Sequence, residues 1–355
     1  MRRTILGLIV GACVVPFADA ACAQDRVLKP ESLEPWAAGD GFKMKPRMRR
    51  AVSGIACERN QRGDRVCLLV LDEAAEGRHV TLSKSGYTLH NARVMLRDTE
   101  TELDAEAAAT DGQYFYVAGS HSVKRSTCKA NPESRFVVRI GRDPVSGRAT
   151  GTRTETSALW GIMAAQDRLR DHVGDEKCLG TEPPPKDATK KGQRGVNIEG
   201  MAVRDGKLHF GFRGPAKDGA APVLSVNLSG LFSDKDAASA ADPVVTSIKV
   251  GERRGIRDLL AVKDGILMLA GPDDDESSRD AGWVLLLWDG KPDGSDAVEP
   301  KHLGRLTLDG IKTRECDDGI KPEALALVDE QDPTRIVVMS DGLCDGGPLV
   351  FKLAD

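Results

Sequence analysis

The chain has 355 residues, with 50 Lys and Arg against 54 Asp and Glu and a formal charge of −4. Charges of both signs are interspersed and aromatic residues make up only 4%, so no basic stripe with stacking side chains exists of the kind a phosphate backbone requires, and nucleic acid is excluded as an expected partner. No G-x-S-x-G elbow, H-E-x-x-H pair, Walker loop or dinucleotide fingerprint occurs, which removes the usual residues of several hydrolase and nucleotide chemistries.

The chain starts MRRTILGLIVGACVVPFADAACAQD. A basic start at Arg2 and Arg3, an apolar run from Ile5 to Val15 and small residues at Ala21 and Ala23 predict a secretory signal peptide over 1–23. The run is shorter than the ~20 residues a membrane span needs, and Asp19 follows closely. Asp19 also stands where a lipobox normally carries Leu, which disfavours a lipid-modified Cys22. No later segment is apolar enough to span. The expected mature chain, 24–355, has a formal charge of about −5 and a periplasmic or secreted location. It keeps Cys57, Cys67, Cys128, Cys178, Cys316 and Cys344. An even number in an exported chain suggests disulfides, but six cysteines allow 15 pairings.

From Ser53 onward five related segments recur: SGIAC (Ser53 to Cys57), EAAAT (Glu106 to Thr110), EGMAV (Glu199 to Val203), DLLAV (Asp258 to Val262) and EALAL (Glu323 to Leu327). A polar hairpin follows each, often Asp-Gly, and then a second apolar run: CLLVLD, YFYVAGSH, LHFGFRGP, ILMLAGPD and IVVMSDG. A third run is visible in all five (HVTLS, FVVRI, VLSVNL, WVLLLW, LVFKL) and a fourth in most, such as VVTSIKV and HLGRLTL. Four short strands per unit, about 55 to 65 residues apart with one longer gap, predict an all-β propeller of five four-stranded blades in a single domain. The fifth unit ends with three strands, so its outer strand is expected from the chain before Ser53, around Phe42 to Met48. Six blades is the alternative, because the Glu106 to Glu199 gap is long. That gap contains SALWGIMAAQDRLRDHV, with Leu159, Ile162, Met163 and Leu169 at helical spacing, and then Pro183 to Pro185. It reads as a helical and Pro-rich insertion over about 156–195.

GVNIEGMAV, LHFGFRGP, RGIRDLLAV, LMLAGP and KPEALAL resemble the bacterial family of domain of unknown function 3616, and the resemblance runs from about Ser53 to the C-terminus. Short E-G-L-A strands also give a looser similarity to exported phytase-like esterase propellers. The first resemblance implies a fold and a location and supplies no reaction.

In a propeller the inner strand begins, and the second strand ends, at the face where the funnel opens. Glu106, Glu199, Asp258 and Glu323 are therefore expected to converge there, with Ser53 in the first blade. Ser120, His121, Arg213, Asp273 to Asp275, Ser340 and Asp341 end the second strands, and Asn197, Arg257 and Lys321 join the rim. Like charges ~8 Å apart at an effective dielectric near 20 cost about 2 kcal/mol per pair before screening. Three things can offset this: Ca²⁺ held by Glu106, Glu199, Asp258, Glu323 and Asp273; ion pairs with Arg213, Arg257 and Lys321; or a proton on a carboxyl of raised pKa. The alternative is structural, each inner carboxylate accepting backbone N–H groups of the next blade. Asp273 to Asp275 with Glu276 are either calcium ligands or a solvated loop. Arg213 either grips a carboxylate or phosphate or pairs with Glu199. A lone His121 is more often structural than a ligand contact.

The same topology makes three sequential cysteine pairs geometrically possible, Cys57 with Cys67, Cys128 with Cys178 and Cys316 with Cys344, each stabilising by roughly 3 to 4 kcal/mol. The second would tether the insertion beside the funnel as a lid. The function expected is binding of a small anionic molecule, a glycan or an envelope protein on the funnel face, through Asn197, Glu199, Arg213, Arg257, Lys321, His121 and Asp341. The alternative is a Ca²⁺-dependent phosphoesterase or esterase-like hydrolase. Whether the protein is an enzyme is left open.

Overall fold

The computed structural model describes residues 26–182, 192–233 and 237–353. The segment 1–23 and the Pro183 to Pro185 run lie outside the described residues. Among the described residues, no helix is long and apolar enough to cross a membrane.

Twenty strands form five sheets among the described residues. Blade 1 comprises Val52–Arg59, Arg65–Leu71, Glu76–Ser83 and Gly86–Met95; blade 2 Ala105–Thr110, Tyr114–Gly119, Val137–Arg142 and Ala149–Thr156. Blade 3 comprises Asn197–Arg204, Lys207–Gly214, Ala220–Asn227 and Val244–Lys249; blade 4 Arg254–Val262, Gly265–Pro272, Val284–Trp288 and Lys301–Leu306. Blade 5 has Lys321–Asp329, Asp332–Asp341 and Leu349–Lys352. Within each blade, neighbouring strands pair antiparallel in chain order. The second strands are apolar on both faces, as in RVCLLVL, every residue of which is buried, because each blade is covered on both sides by its neighbours. Five apolar clusters fill the five gaps between blades, including the one joining Val52 and Leu69 of blade 1 to Val337 and Met339 of blade 5. This last cluster closes the ring, so the fold is a five-bladed propeller and the six-bladed alternative falls.

Closure uses an earlier stretch than expected. Val27–Leu28 adds in parallel to Arg305–Leu306 at the outer edge of blade 4. Pro30 then bridges Phe351 at the outer edge of blade 5, with Glu31 N donating to Val350 O (2.7 Å) and Trp36 N to Pro348 O (2.9 Å). Pro30 lacks an N–H and is tolerated on an edge. Phe42 to Met48 is not a strand: Pro46 opens a short helix, Pro46–Arg49, a position where its fixed φ and missing donor are harmless.

The three sequential disulfides are present. Cys57 and Cys67 are direct cross-strand partners in blade 1, with Cα atoms 4.0 Å apart. The insertion has the expected helix, Ala158–Ala164, but Leu159, Ile162 and Met163 are buried in the cluster between blades 2 and 3. Of the described insertion, it is Cys178, Leu179 and Glu182 that reach the funnel wall.

Candidate functional site

In all five blades the inner strand carries one extra residue near its start. The ladder skips Ser53, Glu106, Glu199, Arg257 and Glu323. Such a bulge bends the strand and re-aims the side chain, and in a propeller it aims these five at the hub. The residue after the bulge faces the next blade at close range. A Cβ on Gly54 would lie 2.9 Å from Ala108 N, and one on Gly200 2.9 Å from the Asp258 carbonyl carbon, so the Glu-Gly pair of EGMAV is one hub residue followed by one contact residue.

The expected place of Asp258 is thereby corrected by one residue. Arg257 holds the blade 4 hub position, and Asp258 aligns with Gly54 and Gly200. Its carboxylate accepts the N–H of Leu259 (2.8 Å) and of Leu325 in blade 5 (2.6 Å), and Asp258 does not line the funnel cavity. It fastens blades together, the structural role weighed above for the inner carboxylates. Burial pushes its carboxyl up, against the pull of these backbone donors.

The funnel encloses about 1410 Å³. Across its floor runs a chain of charges. Ser53 Oγ donates to Glu323 Oε2 (3.5 Å), and Glu323 pairs with Arg257. Arg257 Nε meets Glu199 Oε2 at 2.8 Å, Arg213 Nη1 meets Glu199 Oε1 at 2.9 Å, and Arg213 Nε meets Asp274 Oδ1 at 3.3 Å. Arg125 adds a second cation to Asp274 (2.9 Å), and Asn197 Nδ2 donates to Glu199 Oε1 (3.1 Å) and Asp274 Oδ1 (3.3 Å). Lys321 pairs with Asp341 at 2.6 Å on the wall. The electrostatics follow. Burial opposes the Arg213 charge, but Glu199 and Asp274 outweigh it and hold Arg213 above its ordinary range. Burial and the adjacent Arg213 bring Arg257 down to about 10, still a cation at neutral pH. Burial raises Asp274 and its arginines more than reverse this, leaving its carboxyl below the usual range.

The other half of the floor is not paired in this way. Asp72, Asp104 and Glu106, from blades 1 and 2, make no ion pair among the described residues, and Glu106 makes no hydrogen bond there either. Asp104 is oriented by Ser120, by Ser122 Oγ (3.4 Å) and by Asn131 Nδ2 (3.3 Å). Burial, then Glu199, Asp104 and Asp72, push the Glu106 carboxyl well above its usual range. Burial, Asp341 and Asp104 do the same to Asp72.

Of the expected site residues, Asn197, Glu199, Arg213, Arg257, Lys321, Asp341, Glu106, Glu323 and Asp273 all line the cavity. His121 does not. The chain turns through positive φ there (56°), its ring Nδ1 sits 2.9 Å from Gly119 O, and burial lowers its pKa to about 4. The expected calcium set is not assembled: Asp258 faces a neighbouring blade, Arg257 and Arg213 clamp Glu199 and Glu323, and Asp273 accepts the N–H of Asp275 (2.9 Å). Among the described residues, no three funnel carboxylates bring oxygens within 4.8 Å of one another, and the one close group, Cys316, Asp317 and Cys344, contains a disulfide. Two floor residues escaped the sequence reading. Asp72 ends CLLVLD as Asp341 ends its own second strand, and Asp104 stands two residues before its hub residue, as Asn197 and Lys321 do.

A family model described as a protein of unknown function, DUF3616, matches residues 57–142 and 144–345. No curated protein matches the chain. Among solved structures, a GH43 β-1,3-galactosidase bound to galactodeoxynojirimycin aligns at a TM-score of 0.46 and 9% identity, over 91% of this chain and 93% of that one. An exo-β-1,3-galactanase from Phanerochaete chrysosporium gives 0.46 and 6%, over 90% and 63%. The calcium-binding protein regucalcin from Agrobacterium tumefaciens gives 0.34 and 12%, over 93% and 95%. These likenesses bear on neither ligand nor chemistry.

Proposed function

This chain belongs to the DUF3616 family, and we propose that its funnel binds a glycan, outside the cytoplasm, through the hydrogen-bonding floor of Asp72, Asp104 and Glu106. The observation that carries this reading is the uneven charge of the floor. Arg213, Arg257 and Lys321 already hold internal carboxylates, so an anionic ligand would have to displace them and leave those carboxylates unpaired, at a cost of several kcal/mol. Three carboxyl groups without cations instead offer both acceptors and, where protonated, donors, which suits the hydroxyls of a sugar. Trp283 also lines the cavity, its Nε1 held by Pro322 O at 3.1 Å, and supplies an aromatic face for a pyranose ring. Three disulfides support the location. The same charge argument weighs against phosphoester hydrolysis, and the unassembled carboxylate set weighs against calcium.

The test is calorimetry of the purified protein with a panel of oligosaccharides and, separately, citrate and inorganic phosphate. A sugar should bind, and Glu106→Ala should weaken it by about tenfold or more, the worth of one hydrogen bond to a charged group. Binding of the anions alone overturns the reading. Glycoside hydrolysis is a second reading, favoured by one observation: Glu106 lines the funnel, and burial with the neighbouring carboxylates pushes its carboxyl above the usual range, the direction a general acid requires. Turnover of a bound sugar that Glu106→Gln abolishes would support it.

A further inference from the structure

We propose that the floor formed by Asp72, Asp104, Glu106 and Asn197 receives a primary ammonium group, so that the ligand is an amine-bearing glycan with at least one free amino group. This rests on the glycan reading above and narrows it.

The first ground is charge. Among the described residues, Asp72, Asp104 and Glu106 have no ion-pair partner, whereas Arg125, Arg213, Arg257 and Lys321 around the same cavity are each matched to a carboxylate. Lys124 stands exposed at the rim and makes no ion pair among the described residues. The vacant charge at the floor is therefore positive. The second ground is independent and concerns single atoms. Asn197 is 3% exposed and lines the cavity; its amide nitrogen is fixed by Glu199 and Asp274, which leaves its Oδ1 without a partner. Asp72 Oδ1 is likewise inaccessible and without one. Both orphans are acceptors, and a buried acceptor left unsatisfied costs about 1–3 kcal/mol. What the floor lacks is a charged donor.

Several donors are conceivable by charge, and geometry separates them. Calcium needs 6–8 oxygens in a tight shell, which these carboxylates do not form. An ammonium needs one carboxylate and two neutral acceptors for its three N–H groups, a set that a carboxylate of this floor with the Asn197 amide oxygen and a sugar or water oxygen supplies. A guanidinium prefers a bidentate carboxylate in its own plane, whereas Asp104 already accepts from Ser120, Ser122 and Asn131.

The experiment compares a glucosamine trisaccharide carrying free amino groups with its N-acetylated counterpart, by calorimetry on the full chain at neutral pH and at low and high salt. The free amine should bind about tenfold tighter or more, the preference should shrink with added salt, and Asp72→Asn and Glu106→Gln should each reduce it. Both substitutions are isosteric, and the comparison between ligands on the wild type needs neither. Equal binding of the two sugars, or tighter binding of the acetylated one, overturns the ammonium proposal and leaves the glycan reading intact. Binding of neither overturns the ammonium proposal as well, and the oligosaccharide panel above then decides the glycan reading by itself.

Discussion

Arg257 is the residue on which the hub turns. It is 2% exposed, joins Glu199 of blade 3 to Glu323 of blade 5, and stands where three other blades place a glutamate. Removing it leaves the buried Glu323 without a cation and Glu199 with Arg213 alone, so Arg257→Met should destabilise the protein by about 3–5 kcal/mol, read as a shift in the denaturant midpoint. A loss below about 1 kcal/mol would mean that Glu199 and Glu323 find other partners. Glu106 presents the opposite case, a hub carboxylate with no cation of its own. The contrast between these two residues, equivalent in the fold, makes half of the floor internally satisfied and leaves the other half available. Little of it was legible in the sequence, because a hub residue is defined by its register and its ion-pair partners lie 14 to 66 positions away in the chain.

At the scale of the strand, the bulge decides which side chain enters the funnel. A slip of one residue sends the side chain to the other face, which is the error that placed Asp258 at the hub. Its cause lies in the hairpins. In blade 3, Arg204 pairs with Lys207 and the loop is Asp205-Gly206, at φ 52° and 73°. In blade 4, Val262 pairs with Gly265 and the loop is Lys263-Asp264, so matching the two Asp-Gly pairs misaligns the strands by one. The apolar runs were readable because burial on both faces imposes them; the register was not, because a bulge leaves no mark in hydrophobicity. The tight position after the bulge yields a prediction. Gly200→Ala would bring its Cβ within 2.9 Å of backbone in blade 4, where nothing flexible can yield, and should cost about 1–3 kcal/mol. The same change at Gly161, with open space around its Cβ and a helical setting, should be neutral or stabilising by a few tenths up to about 1 kcal/mol. Equal effects at the two sites, measured by denaturant unfolding, would contradict the close-approach account.

For the whole molecule, five inter-blade clusters and an N-terminal segment crossing from blade 4 to blade 5 make one closed body, so the charge state of the hub is felt in global stability. The number of blades and the shared opening followed from the repeat, while the closing strand did not, since Pro30 to Trp36 carries no strand pattern and pairs only because an edge was left open. The central claim is that blades 1 and 2 confront the funnel with carboxyls that no cation balances. The folded state then binds a proton at Glu106 more tightly than the unfolded chain, whose ordinary value is 4.5. Stability is lost as pH rises from that value through the raised one, and it returns as pH falls. The direct measurement is the unfolding free energy of the wild type and of Glu106→Gln, compared from about pH 4 to about pH 9. The account predicts that the wild type loses stability relative to the Gln variant as pH rises, with the gap flat at the acid end; a gap that does not change with pH, or a wild type that gains on the variant as pH rises, would contradict it.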